Sequence, residues 1–358
     1  MKYGFTFLLV AASGIVRSQE AEAGFELRST ISAMGAFSNV PETAPRKGDP
    51  YVAGVRGMFY PTFKINSRWA FVGAVQVNSR PYFFEEFNTQ GNGIRADILQ
   101  AHLSYSRFWN NKSMVVRVGQ LSSAFGSFLL RYDDAVNPVV GMPQAYGYYY
   151  KGVTNRGLMG AQVDLNYHQV DLRAQFVNSS PTNRRSIFDK EQYGSWAGGV
   201  GYSPRQGLRV GGSTYYGPYL HRQHRFFFPS EAAPKALPVF AVGVDAQYGH
   251  GPWNLNGEWQ YFHMNYIAIP DSIYKIGYLE LRRVLHPRWY VASRLGSFRA
   301  SRFAADDSFE FAVGYRPNRF QLLKVDYLAL RNSGTTAISN TFAVQLVTSL
   351  DPVTIARD

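Results

Sequence analysis

Residues 240–261 read FAVGVDAQYGHGPWNLNGEWQY and contain the pattern that decides the fold. Apolar and polar residues alternate on both sides of a short turn, as Val242 and Val244 show before it. A period of two places successive side chains on opposite faces of a β-strand. Aromatic residues bound the turn, with Tyr248 before it and Trp253 after it. The stretch therefore predicts a β-hairpin with one apolar face and one polar face.

Short turns flanked by aromatic residues recur along the whole chain, and longer polar connections separate the hairpins that they form. The turns lie at residues 66–69, 109–112, 167–169, 202–207, 248–253, 285–289 and 315–320. Short turns on one side, long loops on the other and aromatic residues at the boundary are typical of a transmembrane β-barrel. Aromatic residues make up 16% of the chain, which suits a protein with two membrane–water interfaces.

The alternating segments predict about 16 strands, an even number, as in single-chain bacterial barrels. Every short turn then falls on one side of the barrel and every long connection on the other. The predicted strands are residues 24–37, 51–63, 69–81, 95–108, 113–122, 157–167, 169–179, 193–203, 208–217, 238–249, 253–266, 272–284, 288–299, 307–316, 319–331 and 337–350. We therefore predict an all-β fold, a transmembrane antiparallel up-and-down β-barrel formed by residues 24–358.

The alternation also predicts which side chains face the interior. The basic residues at inward positions, which would form the lumen wall, are Arg56, Arg117, Arg173, Arg294 and Lys324. A soluble β-sandwich would alternate in the same way with its faces reversed, so the aromatic turns, the strand count and the N-terminus decide for the barrel. The twelfth predicted strand does not keep a clean alternation, which is consistent with a β-bulge.

The N-terminus has the features of a secretory signal peptide. Lys2 supplies a positive end, and residues 5–16 form an apolar run shorter than the ~20 residues of a membrane helix. Small residues place cleavage after Ser18 or after Ala23, and we predict a signal peptide of residues 1–23. The chain has no cysteine, which excludes disulfides, thiolate metal sites and a lipoprotein anchor.

The formal net charge is +12, but the basic residues are scattered and do not form a stripe or a basic helix. We therefore predict no nucleic-acid partner. Small hydrophilic solutes in the lumen, outer-membrane lipid and lipopolysaccharide are the expected partners. Basic residues in the predicted outer loops that could bind lipid phosphates are Arg184, Arg185, Arg222, Arg225 and Lys235. We predict no cofactor. We also predict no metal, because His221 and His224 have no carboxylate beside them.

The longest connection, residues 121–156, is too apolar for a loop that extends into water. It contains Phe125 and Phe128, and a long loop with its own apolar side chains packs against other parts of the protein. In a wide barrel the lumen is the available place, so we predict an inward-folded constriction loop. Its charged residues at the pore constriction would be Arg131, Asp133 and Asp134, opposite the basic wall. The alternative is that these and the wall residues are ordinary lumen ion pairs with no selective role.

The segment Val116–Gln120, followed by a loop rich in phenylalanine, resembles the strand that leads into the constriction loop of bacterial general porins and phosphate-selective porins. The strand count and the order of turns are similar along the whole mature chain. The resemblance implies a homotrimer in the bacterial outer membrane that passes small hydrophilic solutes by passive diffusion. The chain departs from these families at its C-terminus, where it continues from Asp351 to Asp358 beyond the last predicted strand. It also lacks a run of lumen lysines, so specificity for phosphate is not implied.

The sequence thus predicts an outer-membrane porin, a diffusion channel with a mild preference for anions because the chain is basic. A closed structural or adhesive barrel, whose outer loops bind a partner, is the alternative from another class. A sugar channel would need an aromatic ladder on the lumen face, for which Tyr148–Tyr150 could form the start. An enzyme is not expected, since no nucleophile elbow, zinc-protease helix or phosphate-binding glycine loop occurs.

Overall fold

The computed structural model describes residues 23–39, 50–84, 93–146, 153, 157–177, 194–217, 239–265, 270–301, 305–334 and 338–356. The predicted signal peptide, apart from Ala23, lies outside these residues, as do the predicted tyrosine run and all five basic residues assigned to the outer loops. Among the described residues, no helix has the length and apolar character that a membrane-spanning helix needs.

The described chain forms sixteen antiparallel strands that close into a single barrel. They are β1 Gly24–Ser38, β2 Tyr51–Lys64, β3 Trp69–Arg80, β4 Gly93–Trp109, β5 Lys112–Leu121, β6 Leu158–Tyr167, β7 Val170–Val177, β8 Ser195–Arg205, β9 Leu208–Gly217, β10 Val239–His250, β11 Trp253–Met264, β12 Ser272–His286, β13 Trp289–Ala300, β14 Asp306–Tyr315, β15 Gln321–Asn332 and β16 Ile338–Ala356. Each strand pairs with its neighbours in sequence, and β1 pairs with β16. Closure leaves no edge strand, as a bilayer demands. The predicted fold class is confirmed.

The short turns collect at one end of the barrel, which we call the short-turn rim, and the other end is the long-loop rim. Local hydrogen bonds hold the short turns. Asn66 Oδ1 accepts from the backbone nitrogens of Arg68 and Trp69, both at 2.9 Å. Asn318 Oδ1 accepts from the backbone nitrogen of Phe320 at 2.9 Å. An asparagine that caps its own turn in this way fixes the hairpin register without help from the rest of the fold.

The outer face of the barrel is mainly apolar between the rims, and aromatic residues ring the short-turn rim. Trp69 packs on Tyr105 with 4.9 Å between ring centroids, and Trp289 packs on Tyr315 at 4.4 Å. Side chains such as Val244 project outward between the rims and are exposed. A wide exposed apolar band bounded by aromatic rings is the surface that a barrel presents to lipid.

The last strand is longer than the sequence analysis predicted. It continues six residues past the expected end at Leu350, and Ala356 pairs with Gly24. The two strands shift register near Ser29, which lies opposite Leu350. The segment that follows the predicted last strand therefore belongs to the seam that closes the barrel.

Strand β12 has a regular register, so the bulge considered for its centre is absent there. Its pairing with β11 is continuous from Ser272 to Arg283, and its register with β13 shifts only after Val284. The alternation looks irregular because Tyr274 and Ile276 face inward and are buried. These apolar residues pack against a loop inside the barrel, so both faces of this strand contact apolar surroundings.

Candidate functional site

The loop that follows β5 crosses the lumen, and we call its described part, residues 122–146, the lumen loop. The backbone nitrogen of Ala124 donates to Gln175 Oε1 on β7 at 3.1 Å. Further along, the backbone nitrogen of Ser127 donates to Glu258 Oε1 on β11 at 3.1 Å, and that of Gly141 to a carboxylate on β14 at 2.6 Å. Because β7, β11 and β14 lie far apart around the barrel, the loop spans the interior from wall to wall.

Aromatic side chains form the centre of the lumen loop. Phe125 and Phe128 are fully buried. The Phe125 ring lies 5.6 Å from that of Phe262 on β11, and Phe128 lies 5.2 Å from Tyr146 within the loop. Phe128 also meets Tyr278 of β12 edge-on at 6.2 Å. Burial of a phenylalanine side chain stabilises by about 1.5–3 kcal/mol, so these rings alone favour a docked loop.

Asp134 is the acidic anchor of the lumen loop. Its Oδ1 accepts from Arg56 Nη1 at 2.9 Å, and its Oδ2 accepts from Ser32 Oγ at 2.7 Å and Tyr82 Oη at 2.8 Å. Burial would raise the pKa of this carboxyl, but the charges of Arg56 and Lys324 outweigh it and hold the pKa below its ordinary value. Asp134 is therefore ionised in the docked loop.

Lys324 of β15 holds the same segment by its backbone. Its Nζ donates to the carbonyl oxygens of Asp134 at 2.7 Å, Asn137 at 2.8 Å and Val139 at 3.2 Å. The side chain is fully buried beneath the loop. A lysine that uses all three ammonium hydrogens on one loop acts as a clamp and not as a charge that faces water.

A second ionic network joins the loop to β12–β14. Arg131 of the loop forms an ion pair with Glu280, which also accepts from Arg294 Nη2 at 2.5 Å. Arg294 reaches Glu310 at 3.2 Å and donates to Asn137 Oδ1 of the loop at 2.7 Å. Burial would lower the pKa of Arg131, but the Glu280 carboxylate raises it above its ordinary value. Charges of both signs alternate here, so each is compensated inside the lumen.

The structure thus places the three residues predicted for the constriction in direct contact with the wall. Arg131 and Asp134 are buried in the ion pairs just described, and Asp133 accepts a hydrogen bond from Tyr60 of β2. Three of the five predicted wall cations join them there. These are Arg56, Arg294 and Lys324, and together with their strands they form what we call the covered wall.

The other two predicted wall cations lie on the opposite side of the lumen, where water reaches them. Arg117 of β5 pairs with Asp164 of β6, and Arg173 Nε of β7 lies 3.1 Å from the same carboxylate. The side chains of Arg117 and Arg173 are 32% and 26% exposed, whereas those of Arg56 and Arg294 are 1% and 2% exposed. We call Arg117, Asp164 and Arg173 the open-wall triad.

A second exposed ion cluster lies below the triad, toward the short-turn rim. Arg209 of β9 reaches Asp171 of β7 at 2.8 Å and Asp245 of β10 at 2.7 Å. Inward glycines leave room for it, since a Cβ on Gly211 would lie 2.7 Å from Asp245 Oδ1. A Cβ on Gly199 would approach only a backbone oxygen at 3.3 Å and Ser213 Cβ at 3.8 Å, so the wall there is lined by small residues. We call the inner surface of β5–β10 from the level of the triad to the short-turn rim the open wall. Toward the long-loop rim the inward side chains of the same strands, such as Tyr215 and Val177, are buried.

Asp164 was not among the residues predicted from the sequence, and neither were Arg209 and the inward glycines. Asp164 and Arg209 do have the inward phase of β6 and β9, so alternation could have identified them. A glycine gives no such signal, because it contributes here by leaving space in the lumen where another residue would place a side chain.

Solved structures show what the fold resembles. The structure of Pseudomonas putida OprB superposes with a TM-score of 0.64 at 11% identity, covering 92% of this chain and 94% of that one. An anion-selective porin from Comamonas acidovorans gives 0.62 at 11% identity over 93% of this chain and 100% of that one. In-vitro folded OmpT of Vibrio cholerae, in its trimer form, gives 0.58 at 9% identity over 92% and 100%. No protein-family model and no curated protein matches the chain by sequence. The predicted resemblance to porins is therefore confirmed as a likeness of fold, that of an outer-membrane barrel with sixteen strands.

Proposed function

We propose that the protein is an outer-membrane diffusion channel for small hydrophilic solutes, and that the solute passage follows the open wall. The contrast in exposure between the two walls carries this proposal. Arginine side chains on β5 and β7 are about one-third and one-quarter exposed, while those on β2 and β13 are almost fully buried. Lumen arginines that stay hydrated beside a docked loop are what a water-filled passage requires.

The open-wall triad gives a reason for mild anion preference. Two guanidinium groups, of Arg117 and Arg173, flank the single carboxylate of Asp164. The triad lies directly below the start of the lumen loop. Gln175 Nε2 donates both to the Ser122 carbonyl oxygen of the loop and to Gln162 Oε1, and Gln162 in turn donates to Asp164. A net positive charge where low-dielectric walls confine water attracts anions. The cluster around Arg209 has two carboxylates for one cation, so the charges of the two clusters cancel and the weak preference depends on the position of the triad below the loop.

The lumen loop supplies the other side of the constriction in this proposal. Arg131, Asp133 and Asp134 set its position and thereby the size of the passage. The protein performs no chemistry on its solutes and acts as a homotrimer. The trimer form named for the Vibrio cholerae neighbour supports that assembly.

A closed barrel is the second candidate, because the lumen loop covers the wall on β1, β2 and β15. In that case the outer loops would do the binding. A sugar channel is less well supported, since the inward aromatics Tyr274, Tyr278 and Phe298 on β12 and β13 are buried and do not line an open surface.

Single-channel recording of refolded residues 24–358 in a planar bilayer under a salt gradient tests the proposal. We expect stable ohmic steps and a reversal potential whose sign indicates a preference for anions over cations. Replacing the triad cations, Arg117→Gln with Arg173→Gln, should move that potential toward cation preference. The matched control removes two outward cations at the short-turn rim, Arg107→Gln with Arg283→Gln, and should leave it unchanged. A folded barrel that gives no steps would favour the closed candidate.

A further inference from the structure

Four neighbouring strands carry charged residues on the lipid-facing side, one to three residues from the long-loop rim. They are Lys275 on β12, Arg299 on β13, Asp307 on β14 and Arg331 on β15. All four are exposed. Lys275 lies directly opposite Arg299, and Asp307 directly opposite Arg331. Arg299 Nη2 is 2.7 Å from Asp307 Oδ1. We call these residues the outer cationic row, with three cations for one carboxylate.

The row differs from the rest of the outer surface at that level. On most other strands the outward residue near the long-loop rim is large, apolar and exposed. Examples are Phe37, Ile94, Met159, Phe176, Trp196, Tyr216 and Phe240. Two cations directly opposite each other on adjacent strands, as Lys275 and Arg299 are, destabilise a sheet by themselves. Their place at the edge of an apolar band points to an external anion.

We infer that the outer cationic row binds the phosphate groups of an anionic outer-leaflet lipid. Strand spacing of about 4.8 Å makes the row about 14 Å wide from β12 to β15, enough for more than one phosphate. Arginine and lysine form charge-assisted hydrogen bonds with phosphate oxygens. The neighbouring carboxylate on the β11 side, Asp271, already lies 3.2 Å from His263 and marks the edge of the row.

The surface around the row suits the chains of the same lipid. Exposed Leu279, Leu295 and Phe309 lie on β12–β14 between the row and the middle of the membrane. Beside the row, on the flank of β15, β16 and β1, an open groove of about 570 Å³ is lined mainly by apolar surface. Its residues are Phe37, Asn39, Tyr327, Asn340 and Phe342. One lipid molecule could place its phosphates against the cations of the row and one of its acyl chains in the apolar groove.

Binding of bisphosphorylated lipid A to the full chain in detergent, measured by native mass spectrometry, tests the inference. The inference rests on the proposed outer-membrane placement and not on conduction, so channel recordings of the same sample report separately on the proposed function. The variant Lys275→Gln, Arg299→Gln, Arg331→Gln should bind on the order of 100-fold more weakly, since each such cation strengthens binding about fivefold. Lipid A stripped of its phosphates should bind the parent protein with a similar loss.

The control variant removes three outward cations at the other rim, Arg107→Gln, Lys112→Gln and Arg283→Gln, and should bind within threefold of the parent. Heat-modifiable migration on a gel verifies that each barrel is folded. Unchanged affinity in the row variant would overturn the inference. So would loss of the oligomer with lipid affinity retained, because the row would then be a contact between copies of the chain.

Discussion

Removing the charge of Asp134 should release the lumen loop. Asp134→Asn keeps the size of the side chain but leaves the buried guanidinium of Arg56, which is 1% exposed, without its carboxylate at 2.9 Å. The ammonium of Lys324 loses the same compensating charge. Breaking one partner of a buried ion pair costs about 3–5 kcal/mol. At about 1.4 kcal/mol for each factor of ten, the undocked fraction should rise about 100- to 4000-fold.

A single introduced thiol can report this change, because the chain has no cysteine of its own. Ala145 lies in the loop and is 3% exposed, so Ala145→Cys adds a small buried thiol. Its labelling rate with a water-soluble thiol reagent follows the undocked fraction when docking is fast. Asp134→Asn should raise that rate by at least two orders of magnitude.

The control for this experiment is Asp307→Asn, which removes a carboxylate paired with Arg299 on the exposed outer surface. An exposed ion pair contributes about 0–1 kcal/mol, so labelling should change less than about fivefold. If Asp134→Asn also left the labelling rate within threefold of its parent, the ionic anchor would not hold the loop, and the reasoning would fail.

Two further outcomes follow from the same geometry. Because the folded-state pKa of Asp134 is held below its ordinary value of 3.8, its contribution to docking is complete above about pH 4 and is lost as pH falls through the lower folded value. Peptic cleavage in residues 125–132 should therefore begin below pH 3.8 in the parent, whereas Asp134→Asn should already be cleaved at pH 4.5. Gly199→Trp should reduce single-channel conductance, because the added side chain would fill space beside the open wall. Gly198→Trp is the control, since position 198 faces lipid on the same strand, and it should leave the conductance unchanged. Equal effects of the two variants would refute the assigned passage.

Most of the barrel could be predicted from the sequence, because a period of two and a turn asparagine are local properties. Asn66 and Asn318 close their turns with their own side chains, so the hairpin boundaries depend on little else. Strand β12 shows the limit of that reasoning. Its inward Tyr274 and Ile276 read as a break in the pattern, since alternation cannot reveal that a distant loop covers the lumen face.

The candidate site was predictable in part for the same reason. Alternation gives the inward phase of Arg56 and Arg117 equally, yet one is buried against Asp134 and the other is hydrated beside Asp164. That difference depends on the path of the lumen loop, which long-range contacts between β1–β3 and residues 132–134 determine. The open face of Gly199 depends on the same path.

We propose that water and solutes pass along the open wall and not along the covered wall. Single cysteines at Gly199 and at Gln345, which is fully buried on β16, test it in one recording chamber. A water-soluble thiol reagent added to open channels should reduce the current through Gly199→Cys and leave Gln345→Cys unaffected. Reduction at Gln345→Cys with none at Gly199→Cys, or a folded barrel with no current to reduce, would contradict the account.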